Sequence, residues 1–416
     1  MSLLSPARSL RHFNPSSISG FDAMNRPSSF HPAIRAACCL FLIALPALTA
    51  WNLANPQSAI KIGPKLAGVT RQPELNWTAS ALIDGGLQKA ITSRVTEALP
   101  IRPLLVRFNN ELRFELFGDI TMSGVVHGAN GHLIEQPYLD EYCSRTESMA
   151  QDRAKAIIPK LKDIQDFYRS HNAVFFYVIT PSKVAHLPEH FVKPGQCPST
   201  EAARTRLIPE YARLLREAGI AVVDTATFIH SLKGKYEIEL FPQGGSHWNE
   251  IGGARAASLI AEEINRQAGQ VLAPLFTFTY KISGVTQGVD RELADLLNVF
   301  FPPLAYLTPK VTFHPSVSCA DHPSTKLDVA VVGSSFTHLP AEILARENCL
   351  SALNVYFYLT QSRHGGIPYR KLQSDLKQSD LLRLRDAKIF ILEENESFAG
   401  QSGYIQTVRE LLAKPQ

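Results

Sequence analysis

Apolar and polar positions along this chain follow two periods, and the switches between them mark out its elements. Residues 76–117 repeat with a helical period, with Leu104, Leu105, Phe108, Leu112, Phe114 and Leu116 set among Arg102, Arg107, Arg113 and Glu115. Residues 125–134 are apolar on either side of Ala129-Asn130-Gly131, which predicts a hairpin turn in which His127 and His132 are incidental. Helices are then predicted over 147–170 and 201–218, the second closed by Gly219. Continuous apolar runs at 173–180 and 220–223 read as buried strands, the latter ending at Asp224. Asn249 can cap a helix with Ala256, Leu259, Ile260 and Ile264 on its apolar face. Residues 270–326, with Phe300-Phe301-Pro302-Pro303 and several Thr, His and Pro clusters, read as an irregular insertion. Beyond it the alternation resumes, with strands over 327–332, 352–358 and 388–392 and helices over 339–347, 372–384 and 405–412. Buried strands alternating with amphipathic helices predict an α/β fold: a parallel sheet covered by helices on both faces.

The N-terminal end has a different pattern. Residues 1–32 are rich in Ser, Pro, Asn and Arg with no apolar period and predict a disordered cytoplasmic tail. Residues 36–53 carry no charge, and Arg8, Arg11, Arg26 and Arg35 precede them against a single Asp22. That bias predicts a single-pass inner-membrane anchor over 33–53, its N-terminus in the cytoplasm and the body in the periplasm. Leu48 stands three places before a cut after Ala50, so a small-x-small cleavage site is missing, and an uncleaved anchor is the preferred reading over a signal peptide. A linker and the start of the helical region follow over 54–94, leaving 95–416 as the folded domain.

Charge and cysteine content add limits. The 416 residues include 42 basic and 38 acidic side chains, a net charge of +4, with no basic block, so no nucleic-acid partner is expected. Of six cysteines, Cys38 and Cys39 lie in the apolar segment. Cys143, Cys197, Cys319 and Cys349 contain no CxxC spacing, so no metal site is expected, nor any cofactor. Three pairings are open in an oxidising compartment; nearest neighbours in sequence favour Cys143 with Cys197 and Cys319 with Cys349.

Two stretches carry candidate chemistry. Gly244-Gly245-Ser246-His247-Trp248-Asn249 delivers a histidine on a glycine-rich turn before a helix. About ninety residues later, Val331-Val332-Gly333-Ser334-Ser335-Phe336 ends a buried strand in a serine turn. A serine hydroxyl needs a base within hydrogen-bond reach, and His247 can serve Ser335 in that way, with His338 a rival base. Backbone N–H groups of a strand-to-helix turn can face a developing oxyanion, so Ser334, Phe336, Trp248 and Asn249 are the supporting candidates. Residue 337 is Thr, so the turn is not a GxSxG elbow. An acid should orient the imidazole, yet Gly245 and Ser246 precede it; Asp224, Glu393 and Glu396, all at predicted strand ends, are the candidates.

Read in order, several segments resemble the alginate O-acetyltransferase-related family, the AlgX/AlgJ-like group with an SGNH-hydrolase-like domain. They are Leu99-Pro100-Ile101-Arg102, Phe117-Gly118 followed by Gly128-Ala129-Asn130-Gly131-His132-Leu133, Thr180-Pro181-Ser182-Lys183, Gly244-Gly245-Ser246-His247-Trp248-Asn249, Gly333-Ser334-Ser335-Phe336 and Leu392-Glu393-Glu394-Asn395-Glu396. The resemblance spans roughly residues 95–400. It implies transfer of an acetyl group to hydroxyls of an exported polysaccharide, the acetyl arriving through a polytopic membrane acyltransferase, with Ser335 as nucleophile and His247 as base. An acetylesterase using the same residues, or a catalytically silent polysaccharide-binding or assembly protein, are the alternatives. Two departures stand out: the family's Asp-x-His-Trp is Gly245-Ser246-His247-Trp248 here, and His132 occupies a position where the family favours Trp.

Overall fold

The computed structural model describes residues 32–68, 73–316, 328–347, 352–364, 370–371 and 378–413. Cys319 and Cys349, and residues 372–377 of an expected helix, lie outside them. The chain divides into two compact units, residues 1–65 with 69–105 and residues 66–68 with 106–416.

In the first unit, the helix Pro32–Ala54 includes Ile34–Ala54, an apolar stretch long enough to cross a membrane. Its last turn is tied down by Asn52, whose Nδ2 donates to Ile60 O at 2.8 Å and to Ala98 O at 2.7 Å. The single helical period read over 76–117 is broken in this unit into Ala79–Ile83 and Gly86–Ala98, because Gly85 takes a left-handed φ of 80° between them.

The second unit begins with a small hairpin, β1 (Val125–His127) and β2 (Leu133–Glu135), turned at Ala129–Gly131 as predicted, with Asn130 at φ 56°. The main sheet comprises β3 (Val174–Thr180), β4 (Val222–Asp224), β7 (Asp328–Gly333), β8 (Ala352–Phe357), β9 (Gln361–His364), β10 (Arg370–Lys371) and β11 (Ile389–Asn395). Its order is β10-β9-β8-β7-β11-β3-β4. β8, β7, β11, β3 and β4 run parallel, while β9 and β10 form an antiparallel edge. The sheet is therefore mixed rather than wholly parallel, because the chain turns back at Tyr358 and Leu359, at φ 49° and 54°, where a crossover helix would otherwise follow.

Strand alternation sends Phe175, Tyr177, Ile179, Val332 and Leu392 to one face, against helices Met149–Ser170, Glu201–Glu217 and Gly403–Ala413. Phe176, Val178, Val329, Val331 and Ile391 face the other way, onto helices Glu250–Ala268 and His338–Glu347. Cys143 and Cys197 are joined in a disulfide.

The stretch read as irregular is a correction. It holds an eight-residue antiparallel ribbon, β5 (Phe276–Ser283) with β6 (Thr308–Pro315). Phe276, Phe278, Tyr280 and Ile282 alternate with Thr277, Thr279 and Lys281, a strand period that clusters of Pro and Thr further on had masked. Between the ribbon strands, a turn at Gly288–Asp290 and a short helix Glu292–Leu296 project towards the histidine turn.

Candidate active site

The serine turn sits at the carboxyl end of β7. Gly333 ends the strand, Ser334 caps, and Ser335–Thr337 form one 3-10 turn before the helix His338–Glu347. Ser334 Oγ accepts from Phe336 N at 3.3 Å, and Thr337 Oγ1 donates to Ser334 O at 2.7 Å. From the neighbouring β11, buried Glu393 accepts from Ser334 N at 2.6 Å, from Ser334 Oγ at 3.0 Å and from Thr180 Oγ1. A Cβ at residue 333 would lie 2.6 Å from Glu393 Oε2, so only glycine lets the carboxylate come this close. Burial pushes the Glu393 carboxyl up to about 7 against those hydrogen bonds. Ser335 is half-buried, and burial raises the Tyr358 hydroxyl above its ordinary range.

The histidine turn is built by close packing on glycines. Leu293 N and Ala294 N donate to Gly244 O at 2.9 and 3.0 Å, docking the first turn of Glu292–Leu296 on the glycine pair. A Cβ at residue 245 would stand 2.0 Å from Val289 O, and one at residue 244 would stand 2.2 Å from Tyr306 Oη. The position where an acid was expected is thus filled by the backbone of the insertion. That same insertion brings its own carboxylate: Glu292 Oε1 accepts from Ser246 N at 3.0 Å and His247 N at 3.3 Å, and pairs with His247 Nδ1. His247 is 14% exposed, and its Nε2 is buried with no hydrogen-bond partner among the described residues. Its ring lies 4.5 Å, centroid to centroid, from Phe336, the residue after Ser335.

Beneath this turn, Lys183 is wholly buried. Its Nζ donates to Leu133 O at 2.8 Å, Pro242 O at 2.6 Å, Gln243 O at 2.9 Å and Gly245 O at 2.7 Å, tying the β2 hairpin to the histidine turn. Burial lowers its ammonium to about 7, with Glu135, Glu239 and Glu292 opposing.

The acid candidates occupy other places. Asp224 caps helix Thr225–Ser231, accepting from Thr227 N at 2.9 Å, and burial raises its carboxyl. Glu396 accepts from Ser182 N at 2.6 Å and His230 Nε2 at 2.8 Å, with Arg145 at 3.5 Å. Burial works against its charge, yet His230 and Arg145 hold it at about 2. Glu393 serves the serine turn, as described, and it is Glu292 that meets the imidazole. Among the supporting candidates, the Ser334 amide is engaged by Glu393 and the Phe336 amide by Ser334 Oγ. Trp248 is buried, its ring 5.9 Å from that of Phe336. Asn249 caps helix Glu250–Ala268 through Ile251 N at 3.1 Å and Gly252 N at 3.2 Å. His338 lies on the helix after the serine turn, 3.5 Å from Glu342.

Glu292, Tyr358 and the bracing role of Lys183 escape a reading of the sequence. Glu292 comes from a segment whose approach depends on tertiary docking, and Tyr358 from a turn that glycine-based signals do not mark. Only Lys183 was within reach, as a lysine directly after a buried strand.

A sheet with a serine turn at the carboxyl end of a central strand, flanked by helices on both faces, defines an SGNH-hydrolase-like α/β protein. The family model described as the SGNH hydrolase-like domain of the acetyltransferase AlgX matches residues 138–348, about half of the chain; the chain belongs to that family and is an SGNH-like acetyltransferase. Among solved structures, it is similar to the O-acetyltransferase domain of Pseudomonas putida AlgJ, with 17% identity and a TM-score of 0.44 over 69% of this chain and 99% of that one. Similarity to Pseudomonas aeruginosa AlgX is 16% identity at a TM-score of 0.47, over 69% of this chain and 66% of that one. Bacillus cereus PatB1 with a sulfonyl adduct gives 11% identity and 0.41, over 68% and 98%. Comparison with curated proteins gives no match.

Proposed function

We propose that this protein is a membrane-anchored O-acetyltransferase acting on hydroxyls of an exported polysaccharide, with Ser335 as nucleophile, His247 as base and Glu292 as the acid that orients it. The observation that carries this reading is the state of His247: Nδ1 paired to Glu292, Nε2 without a hydrogen-bond partner among the described residues, and the ring packed against the residue that follows Ser335. Pairing at Nδ1 fixes the tautomer that leaves the Nε2 lone pair free to take a proton.

In the proposed cycle, Ser335 Oγ attacks the acetyl carbonyl of the donor while its proton passes to His247 Nε2. The carbonyl re-forms, the donor's leaving group departs with that proton, and acetyl-Ser335 remains. An acceptor hydroxyl then gives its proton to His247 and attacks the acetyl carbon, forming the sugar ester; the proton returns to Ser335 Oγ. Glu292 stabilises the imidazolium in both halves. The acetyl donor is a polytopic membrane acyltransferase and the anchor is the apolar helix ending at Ala54, with the body in the periplasm, where a disulfide such as Cys143–Cys197 is maintained. A carboxylate supplied by residue 292 removes the main support for a silent binding protein, which was the missing acid at 245.

The test is turnover of a chromogenic acetyl ester, with and without an oligosaccharide acceptor, by wild type, Ser335→Ala and His247→Ala. Acetyl-enzyme by mass spectrometry in the wild type alone, and ester product only with acceptor present, are expected. Unchanged turnover in both variants would refute the assignment, and release of acetate regardless of acceptor would favour an acetylesterase.

A further inference from the structure

A second cluster lies beside Lys183, which donates to the carbonyl of Leu133, the residue after His132. His132 Nε2 is 3.1 Å from Glu239 Oε2, and His190 Nε2 is 3.3 Å from Glu239 Oε1. The two imidazoles stack with centroids 4.1 Å apart and planes within 13°, so both Nε2 atoms address the same carboxylate. One donor atom from each of the three residues lies within 4.8 Å of the other two. The three come from separate segments: the β1–β2 turn, the short helix Pro188–Phe191, and the stretch before the Asn249 cap. Their approach is enforced by glycine, since a Cβ at residue 128 would lie 2.6 Å from His190 O.

We propose that His132, His190 and Glu239 bind one divalent transition-metal ion of the zinc type. Two imidazoles and a carboxylate form a borderline-soft N₂O donor set that suits zinc, cobalt or nickel and disfavours magnesium or calcium. The histidine side chains are 3% and 9% exposed and that of Glu239 is 45% exposed, which leaves a solvent-facing side for a water ligand. His132 Nδ1 is buried without a hydrogen-bond partner among the described residues, so Nε2 is the ring nitrogen through which His132 meets Glu239. Lys183 directs its ammonium at four carbonyls and does not take Glu239 as a direct partner.

The ion would act as a clamp. Glu239 O accepts from Asn249 Nδ2 at 2.8 Å and Leu240 O from Asn249 N at 2.8 Å, so the metal would fasten the segment that leads directly into His247-Trp248-Asn249 to the rest of the domain. It takes no part in acetyl transfer, and the proposal stands whether or not that reaction is established.

The experiment uses the full chain in detergent micelles, with any affinity tag removed, stripped with EDTA and dialysed. Zinc chloride is titrated by calorimetry, and cobalt chloride by its visible ligand-field absorption. One ion per chain, and a cobalt band of low-coordinate intensity, are expected for the wild type, with both lost in Glu239→Gln and His190→Ala. Hydrogen–deuterium exchange of the wild type, with and without zinc, locates the ion independently of any substitution and so covers variants that do not fold: zinc should slow exchange at 128–133, 188–191 and 236–240. Absence of binding, equal binding by folded variants, or protection confined to other segments would each overturn the site.

Discussion

Glu292→Gln separates what the Glu292 carboxylate does by charge from what it does by shape. One oxygen, Oε1, takes the Ser246 and His247 amides and pairs with His247 Nδ1. A glutamine carbonyl can occupy that place and accept the same hydrogens, so the turn keeps its conformation while the counter-charge to the imidazolium is lost. Two unit charges about 4 Å apart interact by about 4 kcal/mol at an effective dielectric of about 20. The Glu292 side chain is 30% exposed, and solvent screening removes part of that. With roughly 2–3 kcal/mol left in the transition state, kcat should fall by about 30–150-fold. KM should hold, because the imidazolium exists only during proton transfer. Glu292→Ala also releases the two amides and the ring, and its loss should approach about 10³–10⁴-fold, the scale of a misoriented histidine. Steady-state hydrolysis of a chromogenic acetyl ester by wild type and the two variants provides the measurement, with near-ultraviolet circular dichroism to confirm folding. Wild-type kcat in Glu292→Gln, or equal losses in the two variants, would refute the acid role and leave Glu292 a backbone brace.

Other perturbations read separate parts of the site. Gly245→Ala drives a methyl into Val289 O and should cost about 3 kcal/mol in stability, seen as a lower thermal midpoint, because backbone cannot yield as a flexible side chain can. Glu393 has its carboxyl raised to about 7 in the fold, so its contribution to stability is complete below the ordinary carboxylate value of 4.5 and is lost as pH rises through about 7. Urea unfolding of wild type should therefore show a decline over that window, and Glu393→Gln should flatten it; an unchanged slope would contradict the burial argument. Reducing Cys143–Cys197, which are 54 residues apart in sequence, should cost about 4 kcal/mol by loop entropy, measurable as a drop in midpoint on adding dithiothreitol.

The sequence made the sheet legible wherever a strand is buried on both faces. β3, β7 and β11 are continuous apolar runs, and each ends within a few residues of its expected boundary. The anchor-like helix and the helix after Asn249 were equally clear, one from uncharged length and the other from a cap followed by a stripe. The antiparallel edge was not, because its turn uses Tyr358 and Leu359 at positive φ, residues that carry no turn signal. Ser335 and His247 were legible as candidates because each lies at a punctuated end of an element. Their carboxylate was not, since the rule that sites gather at strand ends pointed to Asp224, Glu393 and Glu396, all three of which the fold employs on amides or cations.

The proposed place of the acid, on Glu292 rather than in the histidine turn, fits the same glycines that made its absence visible. An aspartate at 245 would need a Cβ where Val289 O stands, so the turn can have its own acid or the docked insertion, but not both. Glycine here carries an entropic cost of up to about 1 kcal/mol per residue relative to alanine, and it is offset by the two amide bonds that Leu293 and Ala294 make to Gly244 O. A base oriented by a neighbour two residues away is assembled as soon as its turn forms. One oriented by Glu292 is assembled only when residues 288–296 dock, so the proposed activity should track the docking of the insertion rather than the folding of the sheet. Changes that loosen Tyr306, whose hydroxyl donates to Asp290 O and lies over Gly244, should then lower kcat without touching Ser335, His247 or Glu292. Tyr306→Phe keeps the ring and removes that hydrogen bond; a loss of turnover that parallels faster amide exchange at 288–296 is the expected signature, and full turnover with the same faster exchange would show that the base does not depend on the docked acid.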